Sequence, residues 1–198
     1  MKRLFVALKI QPGSLFLNSF LALKTSLRHE NIKWVEMHNI HVTLKFFGDM
    51  RETLIPEISK ILKHEAEFRM PFNIKLNGLG IFGSSYSPRV IWVGIEPYVE
   101  LSGLMHRLQR ELEVAGFESD RQNLVPHLTL GRIKALKDKV LFNKVIASMK
   151  EIISLPILID KMILFESILK QEGPEYLILE QFNFKKNSPE ILNGYQGI

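Results

Sequence analysis

The sequence predicts an α+β fold, and two observations indicate that class. Segments with strand and helix periodicity alternate along the 198 residues, and the last two apolar segments, "LPILIDKMILF" and "EYLILEQFNF", favour an antiparallel pair. The order strand, helix, hairpin also occurs twice, each time around a segment with His followed two residues later by Thr. No linker rich in Pro, Gly or Ser separates the halves, so we expect residues 1–185 to pack as a single domain.

Each predicted element follows from its local pattern. Strands are predicted where β-branched and aromatic residues concentrate, and helices where apolar residues recur every three or four positions. In chain order the elements are a strand at 3–10, a helix at 13–30, a strand at 39–48, a helix at 51–68, strands at 72–82 and 89–96, a helix at 99–115, a strand at 125–133, a helix at 138–149, and strands at 155–165 and 175–184. Residues 186–198 have a turn-forming composition, which predicts a loose tail.

The composition is that of an ordinary globular protein and excludes several classes. Apolar residues make up 46% and charged residues 24%, and the absence of cysteine rules out disulfides and thiolate metal sites. Lys9 interrupts the N-terminal apolar run, so we expect no signal peptide. No segment approaches the ~18 apolar residues of a membrane span. We therefore expect a cytoplasmic protein with no membrane partner. The net charge of +5 suits a phosphate-bearing partner without identifying one.

One four-residue pattern occurs twice, as "HVTL" from His41 and as "HLTL" from His127. Side chains alternate along a strand, so His41 and Thr43 share one face while their apolar neighbours anchor the strand in a core. His127 and Thr129 have the same relation. A chance polar face on two half-buried strands is the competing interpretation, but the repeated spacing in the same context favours a shared site.

Two such strands facing each other would bring together two imidazoles and two hydroxyls. Because imidazole titrates near neutrality, one ring can accept a proton while the other donates one. This pairing suits an in-line displacement at phosphorus, with the Thr43 and Thr129 hydroxyls donating to the non-bridging oxygens. The residues alone leave open which histidine is the acid. No metal or other cofactor is required, so none is predicted.

Two other patterns are rejected as binding sites. "GLGIFG", from Gly78 to Gly83, matches a dinucleotide-binding fingerprint, but the sequence after it predicts a turn and a strand rather than a helix N-terminus. His38 and His41 have a spacing seen in metal pairs. A regular strand would point them to opposite faces, and no acidic cluster accompanies them.

The paired motifs resemble those of the 2H phosphoesterases, and within them the RNA 2′,3′-cyclic phosphodiesterases, also described as 2′-5′ RNA ligases. The similarity extends over nearly the whole chain, through "RLFVAL", "NIHVTLKFFG", "PRVIWVGI", "VPHLTLGRI" and the late "GPEYLIL". The resemblance implies a bilobal fold with pseudo-twofold symmetry, one motif in each lobe and the site in the cleft between them. It also implies hydrolysis of an RNA 2′,3′-cyclic phosphate end to a 2′-phosphate without a metal, by a protein that we expect to be monomeric.

The resemblance further implies roles for individual residues. His41 would protonate the leaving 3′-oxygen and His127 would act as the base. Arg132 would contact the substrate, although its odd offset from His127 places it on the opposite face of a regular strand. Arg89 is a weaker candidate for substrate contact. Phe47 shares the predicted strand phase of His41 and is the candidate for stacking on a base, although core packing is the favoured interpretation even for Phe47. Phe46 is predicted to follow Leu44 into the core.

Two alternatives to hydrolysis stay open at this point. The same chemistry in reverse would join RNA ends by a 2′-5′ linkage, although water opposes it. A binding module that holds RNA ends without turnover would use the same cleft.

Overall fold

Strands and helices alternate through the computed structural model, which describes residues 1–119, 125–149, 154–171 and 173–185. The α+β prediction is confirmed. The described strands are β1 (Lys2–Lys9), β2 (Asn31–Trp34), β3 (His41–Met50), β4 (Phe72–Gly83), β5 (Pro88–Glu96), β6 (His127–Ala135), β7 (Ile157–Ile159), β8 (Lys161–Leu169) and β9 (Pro174–Asn183). The described helices are α1 (Ser14–Ser26), α2 (Ile55–Glu67), α3 (Tyr98–Val114) and α4 (Lys139–Ser148).

The strands form two antiparallel sheets, each of which contains one of the motif strands. The first sheet has the order β3-β1-β8-β9 and contains the His41 strand. The second has the order β2-β6-β5-β4-β7 and contains the His127 strand. In both sheets the motif strand pairs with an earlier strand, and a helix lies between the two in the chain. β3 pairs with β1 across α1, and β6 pairs with β5 across α3.

The core explains why the central strand β1 reads as a continuous apolar run. Leu4, Val6 and Leu8 face the main core, where helices cover the first sheet. Phe5 and Ala7 point to the other face and pack with Ile163, Phe165 and Tyr176 in a second cluster. Both faces of β1 are therefore covered, as in sheets packed on both sides. The second cluster lies beneath His41, because the Phe5 ring contacts the imidazole.

Helices α2 and α3 pack against the first sheet. Their buried residues recur at helical spacing, which places one apolar stripe of each helix on the core. In α2 the stripe contains Ile58, Leu62 and Ala66, and in α3 it contains Leu101, Leu104, Met105, Leu108 and Leu112. α2 contacts β8 and β9, while α3 contacts β3 and α2. The ring of Phe20 in α1 packs edge-on against Trp34 of β2, so α1 lies beside the second sheet.

Two details of the fold differ from the sequence prediction. β2 was not predicted, because four residues are too few to establish a strand period; its pairing with β6 supplies the missing hydrogen bonds. The segment predicted as one strand at 155–165 is two strands, with β7 on β4 of the second sheet and β8 on β1 of the first. The predicted loose tail, 186–198, lies outside the described residues.

Candidate active site

The two motif strands meet, and their polar side chains line one cleft. β3 and β6 are in direct contact although they belong to different sheets. His41, Thr43, His127 and Thr129 all line the cleft between them. All four side chains are half-buried, while the residues between them, Val42 and Leu128, are fully buried. The repeated pattern therefore gives one joint cavity wall rather than two separate sites.

Each imidazole is held by a hydrogen bond to a backbone carbonyl two residues earlier in the chain. His41 Nδ1 lies 2.6 Å from the carbonyl oxygen of Asn39, and His127 Nδ1 lies 2.8 Å from that of Val125. Because a carbonyl oxygen can only accept, Nδ1 of each ring bears the proton. The lone pair of a neutral ring is then on Nε2, which leaves that atom able to accept a proton.

Aromatic rings pack against both imidazoles from the side of the sheets. His41 contacts Phe5 at a centroid distance of 5.1 Å and meets the ring of Tyr176 edge-on at 5.2 Å. His127 meets Phe82 edge-on at 4.7 Å. Trp92 also contacts His127, at 6.5 Å, and lies so close over Gly80 that a Cβ there would overlap its indole ring. These contacts restrict ring rotation and remove water from one side of each histidine.

Burial lowers the pKa of both histidines below the ordinary value of 6.5. For His41 the loss of solvation is the main cause, the hydrogen bond to Asn39 opposes it, and the positive charges of His127 and Arg132 lower the pKa further. For His127 desolvation again dominates, the bond to Val125 opposes it, and Arg132 adds to the lowering. A charge on His127 thus disfavours a second charge on His41, which favours the state with one charged and one neutral ring over the state with two charged rings.

A β-bulge follows the Thr in each motif strand and changes the faces of the residues beyond it. Along β3 the register passes from Thr43 to Lys45, and along β6 from Thr129 to Gly131. Leu44 is therefore an extra residue in the pairing with β1, and Leu130 in the pairing with β5. An extra residue reverses the alternation of side chains downstream of it. As a result both residues of each pair Leu44–Lys45 and Leu130–Gly131 are buried.

The bulge in β6 explains Arg132. The regular-strand argument placed it opposite His127, but the bulge returns its side chain to the cleft, where it lines the wall and lowers the pKa of both histidines. Gly131 fits the crowded position before it, because a Cβ there would lie 2.9 Å from Trp34 of β2.

The bulge in β3 shows that the predicted phase of Phe46 and Phe47 is wrong. Phe46 lines the cleft and is 43% exposed, with the Arg3 guanidinium 5.2 Å from its ring centroid. Phe47 instead packs against Phe117 and the core. The candidate for base stacking is therefore Phe46, and the prediction for Phe47 rested on a regular strand that the bulge interrupts.

Arg89 does not lie in the cleft. It is exposed at the beginning of β5, where it is the extra residue of a β-bulge against β4, and it does not line the cleft. The geometry thus gives no support to substrate contact by Arg89. "GLGIFG" is the end of β4, which leads through a turn into β5, so the rejection of a dinucleotide loop agrees with the structure.

His38 and His41 both line the cleft, contrary to the strand argument, because His38 lies in a 3₁₀ turn (Met37–Asn39) before β3. In the described ranges, no three residues of metal-binding type are grouped closely enough to hold an ion. Catalysis without a metal stays a prediction. Among the same residues, the structure has no helix that is both long and apolar enough to span a membrane.

Several cleft residues were not identified from the sequence. Tyr176 of β9 lies against His41, and burial raises the pKa of its phenol while the charge of Arg132 opposes that rise. Asn39 holds the beginning of β9 nearby, because its side-chain amide donates to the Pro174 carbonyl at 3.0 Å. The wall also contains five further basic residues: Arg3, Lys24, Lys33, Lys134 and Lys170. The sequence does not reveal that these residues share a cleft, because their proximity depends on which strands and loops become neighbours in the fold.

Comparisons with known proteins define the chain as a phosphoesterase. The model of the "LigT like Phosphoesterase" family matches residues 18–92 and 95–176, which is most of the chain. The chain belongs to this family. The resemblance to the 2H phosphoesterases is thereby confirmed, and the chain is a hydrolase of phosphate esters.

Relatives and solved structures agree with this assignment. The chain is 35% identical to the RNA 2′,3′-cyclic phosphodiesterase of Aquifex aeolicus over 76% of this chain and 80% of that protein. It is 31% identical to that of Thermotoga maritima over 92% and 96%. The crystal structure of TT0787 of Thermus thermophilus superimposes with a TM-score of 0.73 at 26% identity, covering 94% of this chain and all of that one. Escherichia coli LigT, crystallised with 3′-AMP, has the same fold with a TM-score of 0.68 at 19% identity, over 93% and 99% of the two chains.

Proposed function

We propose that this protein hydrolyses the terminal 2′,3′-cyclic phosphate of RNA to a 2′-phosphomonoester, with His41 and His127 as the acid and base and without a metal. The observation that supports this most strongly is the pair of imidazoles brought from two sheets into one cleft, each with Nδ1 bound to a carbonyl and Nε2 left for proton transfer. The curated relatives named RNA 2′,3′-cyclic phosphodiesterase supply the substrate class.

In this reaction a water molecule attacks the phosphorus in line with the bond to the 3′-oxygen. Nε2 of neutral His127 takes the proton from the water as its oxygen bonds to phosphorus. Nε2 of charged His41 gives its proton to the 3′-oxygen as the phosphorus–oxygen bond breaks. The 2′-ester bond is kept, so the product is a 2′-phosphate and a free 3′-hydroxyl. Each proton transfer is worth ~10²–10⁴ in rate.

The remaining polar residues of the motifs support the negative charge. Thr43 and Thr129 line the cleft from opposite sheets, so their hydroxyls can each donate to a non-bridging oxygen. Arg132 adds a positive charge beside both histidines. A bound phosphate would in turn raise the lowered pKa of the histidines, because an anion favours their charged form. Substrate binding thus favours the state in which one of the two histidines is charged.

Product analysis of a short RNA that ends in a 2′,3′-cyclic phosphate tests this proposal. The reaction is run in EDTA with the wild type, His41→Ala and His127→Ala, and with His106→Ala as the matched control, since His106 is exposed on α3 away from the cleft. We expect a 2′-phosphate from the wild type and the control, and a loss of ~10²–10⁴ in kcat/KM for each motif variant. Circular dichroism checks that all variants fold.

Other outcomes would contradict specific parts of the proposal. A 3′-phosphate product would contradict the regiochemistry, and activity lost in EDTA but restored by a divalent ion would contradict metal independence. Tight binding without turnover would favour a binding module. Activity retained in both motif variants would exclude the two-histidine mechanism.

A further inference from the structure

The two walls of the cleft differ in their charge. The wall from the second sheet and α1 contains four cations, Lys24, Lys33, Arg132 and Lys134. On the first sheet, Lys170 is paired with Glu175 at 2.5 Å, and the Arg3 guanidinium stacks on Phe46. A cation–π contact leaves the charge of Arg3 in place, as it does that of Lys24. Among the described residues, the wall from the second sheet and α1 therefore has four cations without an ion pair, and the opposite wall has one, Arg3.

These cations form a row that leads from the catalytic centre to the edge of the second sheet. Lys33 of β2 lies directly opposite Arg132 in the pairing with β6, and Lys134 is two residues beyond Arg132 on β6. β2 is the edge strand of its sheet. Lys24 reaches the same wall from the last turn of α1, with its ammonium 5.7 Å from the centroid of the Phe20 ring, which in turn packs on Trp34. Cross-strand neighbours in a sheet are ~4.5–5.5 Å apart, and same-face neighbours along one strand are ~6.6–7 Å apart. The backbone positions of Lys33, Arg132 and Lys134 are therefore closely spaced along this row.

Among the described residues, no carboxylate is paired with the lysines of this row. In the part of the chain that the structure describes, Lys24, Lys33 and Lys134 form no ion pair, although Lys2 binds Glu166 at 2.7 Å elsewhere on the surface. Glu36, which follows β2 and lines the cleft, pairs with none of them. Like charges on neighbouring strands repel each other and destabilise the fold. A ligand with several phosphates would remove that repulsion.

The cleft is also larger than one nucleotide requires. Its cavity volume is about 1210 Å³, above the ~300–1,000 Å³ of ordinary small-molecule sites. A 2′,3′-cyclic phosphate caps the 3′ end of an RNA, so the rest of the strand leaves the catalytic centre in one direction only. One row of cations on one wall matches that requirement.

We propose that the RNA strand on the 5′ side of the reacting phosphate runs along this wall, with its phosphates bound by Lys33 and Lys134 and, further out, by Lys24. This inference rests on the proposed function and adds to it a preference for oligonucleotides over mononucleotides. The lysines neutralise phosphates without reading bases, so the preference is independent of RNA sequence.

Two substrates and one matched pair of double variants test the proposal. The substrates are a nucleoside 2′,3′-cyclic phosphate and an RNA of about five nucleotides with the same end, within the ~4–16 nucleotides that single-strand sites bind. The variants are Lys33→Ala with Lys134→Ala, and Lys60→Ala with Lys63→Ala on the exposed face of α2 as a control of equal charge. We expect the first double variant to lose on the order of tenfold in kcat/KM on the oligonucleotide at low salt and to keep the wild-type value on the mononucleotide.

Salt titration of oligonucleotide binding gives a second readout. The slope of log Kd against log salt should fall by about 1.4 in the Lys33/Lys134 variant, which is ~0.7 for each lost phosphate contact on a single strand, and should stay unchanged in the control. Equal losses on both substrates, an equal loss in the control, or an unchanged slope would overturn the proposal. If the wild type cleaves neither substrate but binds the oligonucleotide with a slope that depends on Lys33 and Lys134, the RNA path stands and the proposed hydrolysis fails.

Discussion

The half-sites around His41 and His127 are alike in their catalytic parts and different in what lies beyond them. Each has the same histidine and threonine, the same Nδ1 bond to the carbonyl two residues earlier, and a bulge at the leucine that follows. Five residues after the histidine, however, one half presents Phe46 and the other Arg132. We infer that the shared parts perform a symmetric task, the transfer of two protons at one phosphorus. The differing parts give the cleft the polarity that an asymmetric substrate requires.

Among the substitutions discussed below, removal of either threonine hydroxyl should cause the largest loss of kcat/KM. Thr43→Val and Thr129→Val keep a β-branched side chain in the strand and remove only the donor to phosphate. We expect each to lower kcat/KM by ~10², because one preorganised donor to a developing charge is worth ~10²–10³. A thermal melt serves as the check on folding. A loss confined to one of the two variants would show that the half-sites share the phosphate unequally.

The two arginines predicted from the sequence should separate clearly. Arg132→Gln should lower kcat/KM about 10–100-fold, because a hydrogen bond to a charged group contributes ~1.5–3 kcal/mol. Arg89→Gln should leave it unchanged, because Arg89 is exposed outside the cleft. Both variants remove one positive charge, so they control for each other. Similar losses in the two would contradict the position of Arg89.

The adjacent phenylalanines of β3 should show different kinds of defect. Phe46→Ala should lower kcat/KM about 5–10-fold on a nucleoside 2′,3′-cyclic phosphate, the lower end of the ~1–3 kcal/mol of base stacking. Glycerol 1,2-cyclic phosphate has no base, so on that substrate the variant should match the wild type. Phe47→Ala should instead destabilise the fold by roughly 2 kcal/mol, below the ~3–5 kcal/mol of a fully buried Phe→Ala, as measured by urea denaturation. Phe47→Ala with normal stability and a base-dependent defect would restore the regular-strand prediction.

The pH dependence of kcat/KM should show the smallest but most diagnostic shift. The proposed mechanism requires one charged and one neutral histidine, so we expect a bell-shaped profile, and burial lowers the pKa of both rings. As the pH rises, the acid loses its proton at the upper of the two pKa values, so activity in the free enzyme should begin to decline below pH 6.5. Arg132→Gln removes a charge that lowers both values and should move the profile toward higher pH. Arg89→Gln should not move it.

The sequence predicts the positions of the four motif residues better than the positions of the residues beyond the bulges. His41, Thr43, His127 and Thr129 lie in one cleft as predicted, because each pair needs only two residues of regular strand to share a face, and the bulges come after them. Beyond the bulges the same rule places Phe47 in the cleft, which is wrong, and Arg132 outside it. A bulge depends on the partner strand, and the local pattern of alternation does not reveal it.

The fold shows the same division between local and non-local information. Elements with a long or regular pattern were predicted close to their bounds, such as α3 and the strand pair β4–β5. β2 was missed because it is too short to show a strand period and is defined by its pairing with β6. The break between β7 and β8 was missed because the two strands join different sheets. The lysine row belongs to this second class. Lys33 and Lys134 are about a hundred positions apart, and only the pairing of β2 with β6 makes them neighbours.

The proposed mechanism gives the two histidines different roles, with His41 as the acid and His127 as the base. A change of leaving group tests this assignment most directly. In a 2′,3′-cyclic substrate with sulfur in place of the bridging 3′-oxygen, the leaving thiolate needs no acid, because thiols ionise with a pKa near ~8.5. We predict that His41→Ala regains most of its lost activity on this substrate while His127→Ala stays inactive. Rescue of His127→Ala instead would reverse the two roles, and rescue of neither variant would contradict acid–base catalysis by this pair.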